Sequence, residues 1–213
     1  MLVKSSINWF ALVSGVLMIV VVGLSFFTPW WQLKIGSNLV TINADPFYTN
    51  FGALGLNFVI PILFAINIGA TALFVISGAL LILYSVQPLK SYGKELLCYG
   101  YKRPIYTLIS FVVFLTLTVY AVPAVINTVS GGQVDLASPI FPLIGTSTVQ
   151  LPTGMFSGSS AAQVGVSVVT AFQYTFYLAV VATALAIVAR LYHKRIVKSQ
   201  VPITPETPIV QTP

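Results

Sequence analysis

Four long apolar runs dominate the pattern of hydrophobic and polar positions along the chain. They cover residues 7–27, 59–84, 105–129 and 164–188, and none of them contains an acidic or basic side chain. About 20 apolar residues are enough for a helix to cross roughly 30 Å of hydrocarbon, and a backbone in lipid must satisfy its own hydrogen bonds. The pattern therefore predicts an all-α membrane protein, a bundle of four transmembrane helices within residues 1–200.

The two longest segments between these runs, residues 28–58 and 130–163, alternate between apolar and polar positions as strands do. Around Gly36-Ser37 the alternation predicts two strands joined by a two-residue type II′ turn. Part of this pattern recurs in the second segment, where Ile144-Gly145-Thr146 corresponds to Ile35-Gly36-Ser37, and Val149, Leu151 and Phe156 correspond to Val40, Ile42 and Phe47. We therefore expect a pseudo-duplicated chain whose two outer loops share a small extracellular β-hairpin or sheet.

Basic residues sort to one side of the predicted bundle. Nine of the ten Lys and Arg residues lie near the chain ends or between the second and third runs, namely Lys4, Lys90, Lys94, Lys102, Arg103, Arg190, Lys194, Arg195 and Lys198. Because basic residues of short loops stay in the cytoplasm, this distribution predicts a multi-pass protein of the cell membrane with both termini cytoplasmic. Residues 201–213, rich in Pro and Thr, are predicted to form a disordered cytoplasmic tail.

Composition supports the membrane interpretation and argues against nucleic acid as a partner. Hydrophobic residues make up 57% of the chain and charged residues 7%, and the mean hydropathy is +0.94, whereas soluble domains usually carry about 25% charged residues. The net charge of +6 is explained by cytoplasmic basic residues and their attraction to anionic lipid headgroups. The lipid bilayer is therefore the predicted partner, and nucleic-acid binding is not expected.

The residues that could carry chemistry are few and dispersed. The chain has one cysteine, Cys98, and one histidine, His193, so an intramolecular disulfide cannot form and a metal or haem site lacks ligands. The four acidic residues all lie outside the apolar runs, at Asp45, Glu95, Asp135 and Glu206. Since proton relays and hydrolases need positioned ionisable groups, the sequence predicts no catalytic residue, no cofactor and no metal, and hence no enzyme activity.

Small and polar residues inside the runs predict helix packing. The candidate packing positions are Gly15, Asn67, Gly69 and Ala182, because small residues let two backbones approach and an amide can bond across a bundle. An alternative is that Asn67, Thr71 and Ser77, together with the hydroxyl groups of the third helix, line a narrow polar path. In that case the protein would be a small channel or facilitator for an uncharged solute.

The outer loops are too apolar to remain freely solvated, since beyond Lys34 they carry only Asp45 and Asp135 as charges. Either they pack on each other and on a partner, or they lie in the membrane interface. A further alternative is an acidic exterior, in which few carboxylates would remain charged. The candidate interaction residues are Trp30, Trp31, Ile35, Val40, Ile42, Phe47, Val149, Leu151 and Phe156. Trp30 and Trp31 directly follow the first run, where they are expected to form an interfacial aromatic belt, with a packing anchor for a partner as the alternative.

These features lead to one functional hypothesis with two alternatives. The leading hypothesis is a non-enzymatic membrane protein that acts through protein contacts. It would be an accessory subunit of a larger membrane complex or a self-assembling homo-oligomer. The first alternative is the facilitator for an uncharged solute, and the second is an enzyme that acts on lipid or quinone with groups supplied by a bound cofactor or a partner.

The layout resembles the claudin and peripheral-myelin-protein type of tetraspan. Four helices, inside termini, a β-patterned first outer loop and a Trp directly after the first helix carry this resemblance, with Trp30 or Trp31 in the place of the family's first Trp. The Gly-Leu-Trp and the paired loop cysteines of that family have no counterpart in this chain. The resemblance therefore implies the architecture only.

Overall fold

The computed structural model describes residues 7–36, 40–53, 56–58, 61–88, 90–129, 142–152 and 163–198. Within these residues the chain forms four helices, α1 (Trp9–Ser25), α2 (Pro61–Val86), α3 (Gly93–Val129) and α4 (Tyr174–Lys198). It also forms six strands, β1 (Trp31–Ile35), β2 (Val40–Ala44), β3 (Asn50–Ala53), β4 (Leu56–Phe58), β5 (Gly145–Pro152) and β6 (Gln163–Phe172). The four predicted helices are confirmed. The predicted disordered tail, residues 201–213, lies outside the described residues.

Three of the helices are long and apolar enough to cross a membrane by length and composition. The corresponding stretches are Phe64–Val86, Gly93–Tyr120 and Tyr174–Arg195. Helix α1 is equally apolar but shorter, with 17 residues. These helices fit a membrane protein, since each of the three exceeds the roughly 20 residues that a span requires.

The fourth apolar run contains a strand as well as a helix. Residues 164–188 were expected to be one helix, but Gln163–Phe172 is strand β6 and the helix begins at Tyr174. The first part of the run places Val164, Val166 and Val168 at alternate positions with small residues between them. β-Branched residues in this spacing favour a strand, and the prediction of helix was wrong here because the apolar length concealed the period of two.

Helix α3 begins well before its apolar run. It was expected over residues 105–129, but it starts at Gly93 and passes through the basic segment and Pro104. A criterion based on continuous hydrophobicity cannot detect a polar first part of a helix. As a result, the connection between α2 and α3 is shorter than the sequence indicated.

A single antiparallel sheet joins the two long connecting segments. Its strand order is β4-β3-β2-β1-β6-β5, so it contains β1 to β4 from the first segment and β5 from the second. The two sets of strands are joined through β6, which lies almost wholly in the run that was expected to be helical. Apolar residues of β1 and β2, such as Leu33 opposite Ile42, occupy one face, and Gln32 bonds to Asn43 through their side-chain amides at 2.8 Å on the other.

The turn between β1 and β2 is longer than predicted. Ile35 pairs with Val40, which leaves four residues between the strands instead of the two of a type II′ turn. Gly36 has a φ of 62°, a conformation that glycine adopts without a steric penalty. The strand pairing itself matches the expectation, but its register is shifted by two residues.

The helices pack most closely where α1 meets α2 and α4. Gly15 lies so close to α2 that a Cβ atom on it would be 2.6 Å from the carbonyl oxygen of Gly78. The Ser14 hydroxyl donates to the Ala182 carbonyl of α4 at 2.7 Å. At the start of α1, the Asn8 N–H donates to the Ser85 carbonyl at the end of α2. Glycine and serine thus allow backbone-to-backbone packing, as small residues do in membrane helices.

The close approach at Gly15 generates a stability prediction. We expect Gly15→Ala to lower the free energy of unfolding by about 1–3 kcal/mol, because the methyl group would overlap backbone atoms of α2. Thermal unfolding in detergent measures the change. The matched control is Gly23→Ala, also in α1 with no atom within 4 Å of the added Cβ; helix propensity should make it neutral or stabilising by up to about 1 kcal/mol. Equal melting temperatures for both variants would contradict the packing described here.

Candidate functional site

Trp30 lies where the sheet meets the helices. Its side chain is fully buried, and its indole N–H donates to the Ser25 hydroxyl at 2.9 Å. Aromatic rings from three helices and from the segment after β2 surround it edge-on, with centroids 5.2–6.3 Å away, at Phe47, Phe74, Phe111 and Phe176. Edge-to-face contacts of this kind stabilise a core beyond the area that they bury.

Trp31 is buried as well, and its indole N–H donates to the Leu143 carbonyl at 2.8 Å. An interfacial belt needs exposed rings with their polar edge at the headgroups. The expectation that Trp30 and Trp31 form such a belt is therefore wrong. Both rings join the sheet to the bundle instead, which also withdraws them from any partner surface.

Asp45 is the unusual polar residue of this region, because it is only 1% exposed. It directly follows β2, where the Phe47 N–H donates to its Oδ1 at 2.7 Å and the Thr49 hydroxyl donates to its backbone carbonyl at 2.8 Å. These contacts form a compact turn of the kind that aspartate favours. Its Oδ2 is buried and has no hydrogen-bonding partner among the described residues.

Burial changes the acidity of this carboxyl group. It raises the pKa of Asp45 from 3.8 to about 7, and favourable interactions with the Phe47 N–H and the Ser25 hydroxyl oppose the shift only in part. A charged carboxylate without a countercharge is expensive to bury, so the group takes up a proton instead. Asp45 is therefore a neutral acid below pH 7 and becomes charged above it.

A cavity of about 750 Å³ lies between the apolar face of the sheet and the groove between α2 and α3. Trp31, Leu33 and Ile42 of the sheet line one end together with Asp45. Helix α3 contributes one continuous face over several turns, from Arg103 to Val119. The walls are mainly apolar, with polar groups at separate points, which is the usual composition of a site for a hydrophobic ligand.

The predicted packing residues fall into two groups. Gly15 and Ala182 lie in the contacts of α1 with α2 and α4. Asn67 is buried and lines the cavity. Gly69 also lines the cavity, and no atom lies within 4 Å of a Cβ placed on it, so it faces open space and not another backbone.

The alternative polar path is not continuous along α2. Asn67 lines the cavity, but the Thr71 hydroxyl donates to the Asn67 carbonyl at 2.8 Å and the Ser77 hydroxyl donates to the Leu73 carbonyl at 2.7 Å. Neither Thr71 nor Ser77 is among the residues of the cavity wall. Bonds of this type to the preceding turn are common for hydroxyl groups in helices.

The predicted outer-loop residues lie in the sheet or directly beneath it. Ile35, Val40 and Ile42 are half-buried in β1 and β2, and Phe47 is buried against Trp30. Val149 and Leu151 are in β5, opposite Val166 and Val164 of β6. Phe156 lies outside the described residues. Of this set, Trp30 and Phe47 therefore contribute to the contact between the sheet segment and the bundle.

The described basic residues of the predicted cytoplasmic segments lie at the end of the bundle opposite the sheet, which we call the basic end. Several contact aromatic rings there: the Lys90 ammonium lies 5.6 Å from the Tyr92 ring centre, and the Arg190 guanidinium lies 4.7 Å from that of Tyr101. Lys94, Lys102, Lys194 and Arg195 belong to the same ends of α3 and α4, and Lys198 ends α4. Within the described part of the chain, no group of three or more His, Cys, Asp or Glu side chains could hold a metal ion.

Sequence reasoning missed both Asp45 as a buried acid and the cavity. The available signal was an isolated acid between apolar strands, followed by Pro46 and Phe47. Its burial follows from tertiary packing, because Ser25 and Trp30, which interact with its carboxyl group, come from a segment before β1. The cavity has no local signature, since its walls come from residues far apart in the chain.

The raised pKa of Asp45 predicts a specific dependence of stability on pH. Between about pH 4 and 7 the folded protein binds the proton more tightly than the unfolded chain, so the free energy of unfolding falls as pH rises through this interval and levels off above it. Asp45→Asn, which resembles the neutral acid, should remove this fall and exceed the wild type at pH 8 by up to about 4 kcal/mol. Melting curves from pH 4 to 9 provide the measurement.

Glu95→Gln is the matched control for this experiment, because Glu95 is the other acid of the described residues and is exposed on α3. We expect this variant to keep the pH profile of the wild type. If Asp45→Asn shows the same fall in melting temperature as the wild type, Asp45 is not the group responsible.

The chain matches no known protein-family model, and no curated protein matches its sequence. Its function is therefore inferred from the sheet, the cavity and the distribution of charge.

Proposed function

We propose that this chain is a non-enzymatic integral membrane protein that acts through protein contacts made by its sheet. It crosses the cell membrane four times, with both termini in the cytoplasm and the sheet outside. The edge of β5 that faces away from β6 accepts a strand from a partner, which is a second copy in a homo-oligomer or another subunit of a membrane complex. The proposal rests on the length of this edge strand and on its lack of charged residues.

Strand β5 is at the end of the sheet and pairs only with β6 among the described residues. It extends over eight residues, Gly145–Pro152, and none of them is charged. Long edge strands of soluble and secreted proteins are usually protected by charges, bulges or short length, because unpaired N–H and C=O groups bind other strands. An uncharged edge of this length is therefore suited to accept a strand from another chain.

The surface beside this edge supports the same proposal. Ile144, directly before β5, is 61% exposed, and Thr146 and Thr148 are exposed within it. On the neighbouring strand, Val169 is 44% exposed opposite Thr146. A partner strand beside β5 would cover the backbone edge and part of this uncharged surface.

The distribution of charge supports the membrane orientation. Lys94, Arg103, Arg190 and Lys194 lie at the basic end, away from the sheet. Basic residues are retained on the cytoplasmic side, so the sheet would lie outside. The tetraspan architecture implied by the claudin-like layout is consistent with this arrangement, although it carries no information about the partner.

The proposal predicts that a charge on the edge strand weakens assembly. Native mass spectrometry in mild detergent should show the wild type as an oligomer or bound to a membrane partner. Thr148→Lys should lower the assembled fraction with about a fivefold loss of affinity, because a cross-strand contact contributes up to roughly 1 kcal/mol and Lys opposes edge pairing.

Ser167→Lys is the matched control, because Ser167 pairs with Thr148 on the adjacent strand but is one strand away from the edge. It is exposed as well, and we expect it to leave assembly unchanged. A wild-type protein that is a monomer without partners would contradict the proposal. So would a Thr148→Lys protein that assembles like the Ser167→Lys control.

A further inference from the structure

We propose that the cavity between α2 and α3 binds the apolar chain of one anionic amphiphile, with its head group at Arg103 and its chain directed toward the sheet. The ligand class is a long hydrocarbon chain that ends in a carboxylate or a phosphate, whether a free fatty acid or a membrane phospholipid. The inference rests on the membrane placement proposed above, and it concerns a surface separate from the β5 edge.

The shape of the cavity follows from how α2 and α3 pack. Near the basic end the two helices are in close contact, since a Cβ atom on Gly100 would be 2.8 Å from the Leu81 side chain. Toward the sheet, α2 lines the cavity with Gly69 and Ala70 between the larger side chains of Ile66, Asn67 and Leu73, and the space beside Gly69 is open, since no atom lies within 4 Å of a Cβ placed on it. The result is an elongated groove and not a round pocket.

The length and walls of the groove fit a hydrocarbon chain. Its α3 side extends from Arg103 to Val119, which at 1.5 Å per residue corresponds to about 24 Å. Between these residues, Phe111, Phe114 and Leu115 form the apolar part of the wall. Thr107, Ser110 and Thr118 also line it, and the hydroxyls of both threonines donate to carbonyls of the preceding helical turn. A volume of about 750 Å³ lies within the usual range of roughly 300–1,000 Å³ for ligand sites.

Arg103 provides the charge that selects an anionic head group. It lines the groove and is half-buried, and its guanidinium carbon lies 5.5 Å from the centre of the Tyr99 ring. A cation–π contact holds the guanidinium without consuming its N–H donors. Arginine donors match the geometry of carboxylate and phosphate, and the Tyr106 side chain lies at the same end of the groove.

The opposite end of the groove is suited to the end of a chain. Trp31, Leu33 and Ile42 form its apolar floor. Asp45 is the one acid there among the described residues, and its raised pKa keeps it neutral below pH 7. A hydrocarbon terminus therefore meets no fixed charge at this end, whereas a charged head group would find no countercharge.

The test uses Gly69, because a larger side chain there fills the groove without displacing other atoms. Delipidated protein in a mild detergent is titrated with oleate, dioleoyl phosphatidylglycerol or dioleoyl phosphatidylcholine, and native mass spectrometry counts the bound molecules. We expect one oleate or phosphatidylglycerol per wild-type chain and at least about tenfold weaker binding to Gly69→Leu. Gly23→Leu, which has equally open space outside the groove, should bind like the wild type.

Arg103→Gln tests the head group. Binding of oleate and phosphatidylglycerol should weaken by about tenfold or more, as expected for a lost charge-assisted hydrogen bond, while the weak binding of zwitterionic phosphatidylcholine stays unchanged. Preference for oleate over phosphatidylglycerol would identify a fatty acid site, and the reverse would identify a phospholipid site. Equal binding of all three lipids, unaffected by Arg103→Gln, would overturn the assignment of the head group.

A second measurement uses a protein whose groove residues are unchanged. Its result therefore does not depend on whether Gly69→Leu and Arg103→Gln fold correctly. In a Trp9→Phe protein, which removes an exposed indole at the basic end and leaves Trp30 and Trp31 as the emitting residues, 9,10-dibromostearate should quench the fluorescence, because Trp31 is on the groove wall and Trp30 contacts Phe111 of that wall. Absence of quenching, or equal oleate binding by Gly69→Leu and wild type, would overturn the proposal. The same mass spectra report the oligomeric state. A variant that loses lipid but still assembles, or that binds lipid but no longer assembles, shows that the groove and the β5 edge act independently.

Discussion

The contact of Trp30 with its ring of phenylalanines connects the two halves of this architecture. A sheet above a helix bundle needs a shared core, and the Trp30 ring meets α2, α3 and α4 through Phe74, Phe111 and Phe176. Its backbone carbonyl also accepts from the Gln173 N–H at 2.9 Å, directly before α4. Loss of a buried Trp typically costs about 3–5 kcal/mol, so the orientation of the sheet on the bundle depends strongly on this residue.

The packing around Trp30 also explains the position of the cavity. Aromatic rings fill the space on the α4 side, where Phe172 stacks on Phe176 at 4.3 Å, whereas on the α3 side the small residues Gly69 and Ala70 of α2 are part of the cavity wall. The sheet is therefore supported unevenly. Asp45 lies beside Phe47 of the aromatic cluster and also lines the cavity, and its Oδ2 has no hydrogen-bonding partner among the described residues.

The sequence predicted those features that depend on local pattern. Apolar runs identified four helices, and alternation identified β1 and β2. The register between these strands was not predictable, because a shift by two residues leaves Leu33 and Ile42 on the same face, and only a shift by one would reverse it. Strand β6 was hidden inside an apolar run, and the first part of α3 was hidden by its charges. Asp45 and Gly69 acquire their roles from distant segments, which no single stretch of sequence contains.

The pairing of β1 with β6 has a consequence for how the protein is made. Strand β1 leaves the ribosome early, but its partner residues from Val168 to Phe172 emerge only after three of the four helices have been synthesised. Contacts between such distant segments form late and slowly, so an apolar strand edge stays open during biogenesis. Completion of the sheet therefore waits until β6, directly before the last helix, has been synthesised, and chains that stop before β6 would leave this edge of β1 unpaired.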